Sequence, residues 1–368
     1  MPNLRTTITE LGTGLGMLGY VDVDTALRAQ PTEMVSVSPE TWALLTEVRS
    51  GGAYDAEFGS AFANGVAFLH APAALRERRP LCVEWKGSGR APGDEVAPID
   101  LRVDHVYLIS CKYLSKILFN ASPAHLFDGL LSGRHGRRSG DWFAEVAPAE
   151  YDELYRLVRR GSERELPDLA RSLTTEERRA LGRVLTTEWP EGAAAAYEAL
   201  IARVALASAE RWRKALAGRE EQEAMFWRLL RMGSAPYFVL GAAGSHPLRL
   251  RVATPWDWRQ RFGLHAFDVE PQSGGQSRVG WQATIRDKRT GASVDVVGHI
   301  EVRWSHGRFG GPPEAKVYLD SPHHAVPGYF ALDQTDASLE SIGTVEHADL
   351  TAEPLALFGP NASSDPAE

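Results

Sequence analysis

Cysteine is nearly absent, with only Cys82 and Cys111 in 368 residues. That excludes a disulfide framework, and the two are not spaced as zinc ligands. Long apolar runs are missing too. The longest, "AAAAYEALIARVALASA", is broken by Glu198 and Arg203 and is too short and polar to span a bilayer. The opening "MPNLRTTITELG" has no charged segment leading into an apolar one, so no signal peptide is expected. No internal repeat is evident. A soluble cytoplasmic protein without a membrane partner is the expectation.

Basic residues are missing from one region. Residues 331–368 carry eight acids (Asp333, Asp336, Glu340, Glu346, Asp349, Glu353, Asp365 and Glu368) and no Lys or Arg. They account for the whole net charge of −8 and leave the rest of the chain neutral. A Pro-, Ser- and Ala-bearing acidic stretch of this kind is expected to be a solvated tail.

What is present divides by pattern. Residues 53–78 have apolar side chains at helical spacing. Strand signals follow from 80 to 113: "LCVEW", the Gly/Pro-rich "KGSGRAPGDEVAP" and "IDLRVDHVYLISCK". "LSKILFNASPAHLFDGLL" reads as a helix interrupted at Pro123. Residues 148–232 are rich in Ala, Leu, Glu and Arg and read as several helices, one capped by Thr174 or Thr175. "APYFVLGAA" is a short apolar strand, and 248–330 alternates as strands with Gly turns. The expected fold is α/β (α+β). Its parts are a core begun by 1–147, a helical insertion at 148–232, a closing strand and β-rich C-terminal region at 233–330, and the acidic tail at 331–368.

Lys112 ends the apolar run "VYLIS", and a buried ammonium needs a partner. Metal-dependent phosphodiester cleavage brings such groups together. Magnesium takes carboxylate oxygens, and a cation beside the phosphate meets the charge that develops there. Asp100 begins one strand of the hairpin and Lys112 ends the other. With a two-residue loop at Asp104 and His105 they face apart; a three-residue loop or a bulge sets Asp100 opposite Ser110 and restores the shared face.

This order of elements resembles the PD-(D/E)xK nuclease superfamily, the fold of many restriction endonucleases, over about residues 50–130 plus "APYFVLG". Glu57 sits on the preceding helix, "LCVEW" matches the first strand, "PID" ends at Asp100 and "SCK" at Lys112. The family's usual acid is replaced by Ser110. Some restriction enzymes are similar in having Ser-x-Lys, with the acid moved elsewhere; Glu84 is the candidate for it, and Asp128 a weaker one. The resemblance implies a restriction-endonuclease-like mixed sheet, with magnesium or manganese held by Asp100, Glu84 and Glu57. It makes Lys112, Asp100 and Glu84 catalytic. It further implies DNA as the partner and a role in restriction, defence or repair, as a homodimer or with partner proteins of a defence system. The alternative is an inactive nucleic-acid-binding or scaffold protein that kept the fold.

Other features are secondary. "VEWK" offers Lys86 beside Glu84. Asp295 with Glu314 and Lys316 is set aside, because in a hairpin they lie at opposite ends, on the order of 25 Å apart at about 3.3 Å per residue. Lys116, the loop bearing Arg134, Arg137 and Arg138, and Arg303 with Arg308 are candidates for nucleic-acid contact. His299, Glu301 and Arg303 share a strand face that reads equally as a salt-bridged surface. "GLGMLG" at 14–19 reads as a flexible turn in preference to a dinucleotide loop. Trp256 and Trp258 read as core.

Overall fold

The structure, a computed structural model, describes residues 4–87, 99–113, 117–128, 140–162, 165–185, 188–243, 246–305 and 307–332. The acidic stretch from Asp333 onward, Lys116, and the loop bearing Arg134, Arg137 and Arg138 lie outside the described residues.

The N-terminal layer is helical: α1 (Leu4–Gly16), α2 (Val23–Ala29), α3 (Pro39–Ser50) and α4 (Asp55–His70), with a two-residue strand β1 (Met34–Val35) between α2 and α3. Asp22 and Ser38 fix two of the starts by accepting from the N–H groups of Thr25 and Thr41. The first half of "GLGMLG" is not a flexible turn. It ends α1 where that helix crosses α4. A Cβ on Gly16 would lie 2.2 Å from the Phe62 carbonyl oxygen, and one on Gly65 2.0 Å from that of Thr13. Glycine is there because the two backbones touch.

The remaining strands are β2 (Val83–Trp85), β3 (Leu101–Val103), β4 (Tyr107–Tyr113), β5 (Ile117–Ala121), β6 (Tyr237–Ala243), β7 (His246–Val252), β8 (Phe262–Ser273), β9 (Ser277–Asp287), β10 (Ser293–Arg303), β11 (Glu314–Leu319) and β12 (Tyr329–Ala331). The remaining helices are α5 (Pro123–Phe127), α6 (Trp142–Val146), α7 (Pro148–Arg160), α8 (Thr175–Val184), α9 (Ala193–Ala215), α10 (Arg219–Leu229) and α11 (Pro255–Arg261). Two sheets result. One is mixed, in the order β1-β2-β3-β4-β6-β7-β12; the other is antiparallel, in the order β5-β11-β10-β9-β8. The mixed α/β class expected from the sequence is the class observed.

The mixed sheet divides its side chains between two cores. Val83, Leu101, Ile109, Phe238 and Leu240 join the core of α1 to α4, whereas Tyr237, Val239, Leu248 and Leu250 join the core built with the later helices and the second sheet. The alternation along β6 is the period of two that a strand imposes. β6 runs parallel to β4, with Ser110 paired to Val239 and Lys112 to Gly241. The strand "YFVL" therefore returns to the sheet of 106–113.

Several expectations change. The helix read in "LSKILFNASPAHLFDGLL" is instead β5 followed by the short α5. β5 pairs with β11, Phe119 opposite Val317 and Asn120 opposite Lys316; an apolar run this short suits either element, and tertiary pairing decides. Of the strands after residue 233, β6, β7 and β12 join the first sheet and β8 to β11 the second. The helical segment begins earlier than expected, at Trp142, and α9 packs on β8 and β9 as well as on α7. Trp258 is core, but Trp256 is 70% exposed. Among the described residues no helix is long and apolar enough to cross a membrane.

Candidate active site

The hairpin decides the site. Its ladder pairs Leu101 with Ile109, Arg102 with Leu108 and Val103 with Tyr107, leaving Asp104, His105 and Val106 as a three-residue loop. Asp104 and His105 take left-handed φ values of 49° and 59°, which an aspartate tolerates better than most side chains. The Asp104 Oδ1 also accepts from the N–H groups of Leu81 (2.7 Å) and Cys82 (3.1 Å), tying the loop to the start of β2. The ladder ends at Leu101 and Ile109; just before β3 the Asp100 N–H donates to the Ile109 carbonyl at 2.8 Å, and its carboxylate accepts from the Ser110 Oγ and the Cys111 N–H of β4. Asp100 thus faces the same side as Ser110 and Lys112, the arrangement that a two-residue loop would have prevented.

Three strands contribute to this face. Glu84 pairs with Arg102 across β2 and β3, and Lys86, one residue past the paired Trp85, continues the same face beside Asp100. Asp100 is diagonal to both Glu84 and Lys112, a separation of about 7–8 Å between such neighbours. The Asp100 Oδ2 accepts from the Cys111 N–H at 2.6 Å and from the Ser110 Oγ at 3.3 Å. Ser110 is fully buried and holds the aspartate from the neighbouring strand. The Glu84 carboxylate lies 3.0 Å from the Lys86 Nζ and 3.7 Å from the Arg102 Nη1.

The back of the hairpin rests on α1. Trp85 donates its indole N–H to the buried Glu10 at 2.6 Å. Cys111 points to this side; burial first, then the Asp100 and Glu10 carboxylates, push its thiol well above the usual range. Cys82 is pushed up as well, by burial and then Glu84 and Asp104. Neither cysteine is poised as a thiolate. Sequence reasoning missed Glu10, whose signal is a lone acid inside the helical apolar pattern "ITELGTGL".

The other candidates are not brought to this face. Glu57 is on α4, across the sheet, 3.3 Å from the Arg5 Nε. Asp128 lies 2.8 Å from Arg211, which also holds Glu145. Arg303 is 3.4 Å from Glu301, which pairs with Arg278 at 2.7 Å, and His299 is 2.7 Å from Asp320. That strand face is an ion-paired surface. The Arg308 guanidinium covers the Trp189 ring at 4.0 Å and donates to the Glu188 carbonyl. Lys316 pairs with Glu301, six residues from Asp295 along β10, so that pair is about 20 Å apart at about 3.3 Å per residue.

A cavity of about 30 Å³ lies on the face of Ser110 and Lys112, walled also by Arg231, Tyr237, His323 and Tyr329. Burial, and then the charge of His324, hold the His323 imidazole below the usual 6.5. The unfolded chain therefore takes up this proton at a higher pH than the folded one, and stability falls as pH drops below about 6.5. His323→Gln is expected to flatten the fall of the melting temperature between about pH 7 and pH 5; a slope equal to that of wild type would remove His323 as its source.

Among the described residues no three His, Cys, Asp or Glu side chains converge as a metal site. Comparison with protein-family models, with curated proteins and with solved structures gives no match.

Proposed function

We propose that the chain is a metal-dependent nuclease that hydrolyses nucleic-acid phosphodiesters, with DNA as the substrate the resemblance implies. One observation carries the reading: Glu84 on β2, Lys112 on β4 and Asp100, immediately before β3, share one sheet face, in a hairpin register that allows it. Support also comes from β6 beside β4, the closing strand of that fold.

The donor set fits magnesium in number. That ion is commonly bound by one or two carboxylates, with substrate phosphate oxygens and water completing the sphere. Asp100 and Glu84 would hold it, without Glu57. Bound there, the metal would polarise the phosphoryl oxygen and make water a stronger nucleophile. The chain's own groups do the rest. Ser110 and the Cys111 N–H fix the Asp100 carboxylate, Lys86 and Arg102 fix Glu84, and Lys112 presents its ammonium to the oxygens on which charge accumulates. Water's oxygen bonds to phosphorus, the ester P–O bond breaks, and the leaving oxygen takes a proton.

A second reading has its own observation. Glu84 is already matched by two cations, and Ser110 is not an acid; a protein that binds nucleic acid without cutting it satisfies both. Manganese binding, followed by electron paramagnetic resonance with a noncleavable phosphorothioate oligonucleotide present, separates the two. The nuclease reading expects uptake by wild type and its loss in Asp100→Asn; no uptake by wild type favours the inactive protein. Glu57→Gln is expected to keep the cleavage rate within a factor of about three, because its carboxylate is across the sheet. A hundredfold loss would return Glu57 to the site.

A further inference from the structure

A cleft of about 470 Å³ opens between β5 and the end of α10, bounded by Phe119 and Asn120 on one side and by Trp227, Arg228, Arg231 and Met232 on the other. Among the described residues no carboxylate lines it. Arg228 is half-buried, its Nε is shielded from solvent with no acceptor, and among the described residues it makes no ion pair. Burial, then the charge of Arg231, lower its hold on its proton. Arg231 donates to the Leu118 carbonyl at 3.3 Å, and its guanidinium lies 5.7 Å from the Phe119 ring centre.

A half-buried cation without a counter-charge is costly, and a second one beside it adds repulsion. Such an arrangement is stable where an anion completes it, and guanidinium forks match phosphate oxygens in geometry as well as charge. The ring of Phe119 and the thioether of Met232 add an apolar wall on which a base can lie. Arg231 also walls the small cavity on the face of Ser110 and Lys112. The cleft and the Lys112 face therefore share a residue.

We infer that this cleft binds a nucleotide phosphate of the strand presented to Lys112, with Arg228 as its main contact and the attached base against Phe119. The strand as ligand rests on the nuclease reading; the phosphate site does not. Arg228 and Arg231 escape sequence reasoning because in "FWRLLRMG" they read as ordinary basic positions at a helix end.

Isothermal titration calorimetry on the full chain tests this, with 5′-deoxyadenylate, deoxyadenosine and a short phosphorothioate DNA strand as probes. Wild type and Lys112→Ala are expected to bind the nucleotide alike and the nucleoside more weakly. Arg228→Met should weaken nucleotide binding at least about tenfold, the scale of a lost charge-assisted hydrogen bond. Without ligand Arg228→Met should melt higher than wild type, where a structural guanidinium would make it melt lower. Unchanged nucleotide affinity in Arg228→Met, no binding by wild type, or a lower melting temperature overturns the site. Tighter binding of the strand than of the nucleotide, lost in Arg228→Met, supports the strand as ligand; equal or weaker binding overturns it in favour of a free nucleotide. Cleavage without nucleotide binding sinks this inference and leaves the nuclease standing, whereas binding without cleavage does the reverse.

Discussion

Lys112→Ala is expected to slow phosphodiester cleavage by about a hundred- to a thousandfold, the loss seen when one preorganised donor is removed from a developing charge. The lysine is the last residue but one of β4, on the face of Asp100 and Glu84, and under the proposed function its charge acts where the phosphate would sit. Nucleic-acid affinity should stay within about twofold, since one phosphate contact among many contributes little to binding. The measurement is single-turnover cleavage beside equilibrium binding and thermal melting. Unfolding of the variant, with no soluble protein to assay, would make the lysine a structural ion-pair partner and remove it from the chemistry.

The largest expected effect on stability is at Gly241. A Cβ there would lie 1.8 Å from the Lys112 carbonyl oxygen, and that atom belongs to the neighbouring strand and has no side-chain freedom to move aside. The Gly241 carbonyl also accepts from the buried Asn64 Nδ2 at 3.0 Å, which fixes β6 to α4. Gly241→Val is expected to cost about 3 kcal/mol or more, at or above the upper range for overpacking a core. It should also weaken cleavage in whatever fraction stays folded, because β4 loses its partner at Lys112. Chemical denaturation gives the cost. A variant as stable as wild type would mean that the strands do not approach this closely.

Periodicity made much of this architecture legible. The helix at Asp55–His70, the strands near 83, 101 and 107, the helices after 148 and the return of "YFVL" all follow from apolar spacing and its boundaries. Residues that the pattern treats alike escaped it. "ILF" at 117–119 suits a helix or a strand, and only pairing with β11 decides between them. The glycines of "GLGMLG" suit a turn or a helix crossing, and the contact of Gly16 with α4 lies 46 or more positions ahead in the chain. The candidate site depended on loop length. Nothing local to "VDHV" announces a three-residue loop, because the fastening of Asp104 to Leu81 and Cys82 is nonlocal. Lys86 looked secondary for the same reason, since its place beside Asp100 requires the register of β2 on β3. Charge pairing was least legible. Arg308 looks like a free cation until Trp189 is placed beside it, whereas the pairing of Arg303 with Glu301 is already one reading of its strand face.

The central claim is that the face formed by Asp100, Glu84 and Lys112 hydrolyses phosphodiesters with a divalent metal. The direct measurement incubates the purified full chain with single-stranded DNA, double-stranded DNA, modified DNA and RNA, in magnesium, in manganese and in excess chelator, beside Asp100→Asn and Lys112→Ala. The account predicts cleavage of at least one substrate by wild type, its abolition by chelator, and its loss in both variants while they remain folded. No cleavage of any substrate with either metal, or cleavage that survives in both variants, would contradict it.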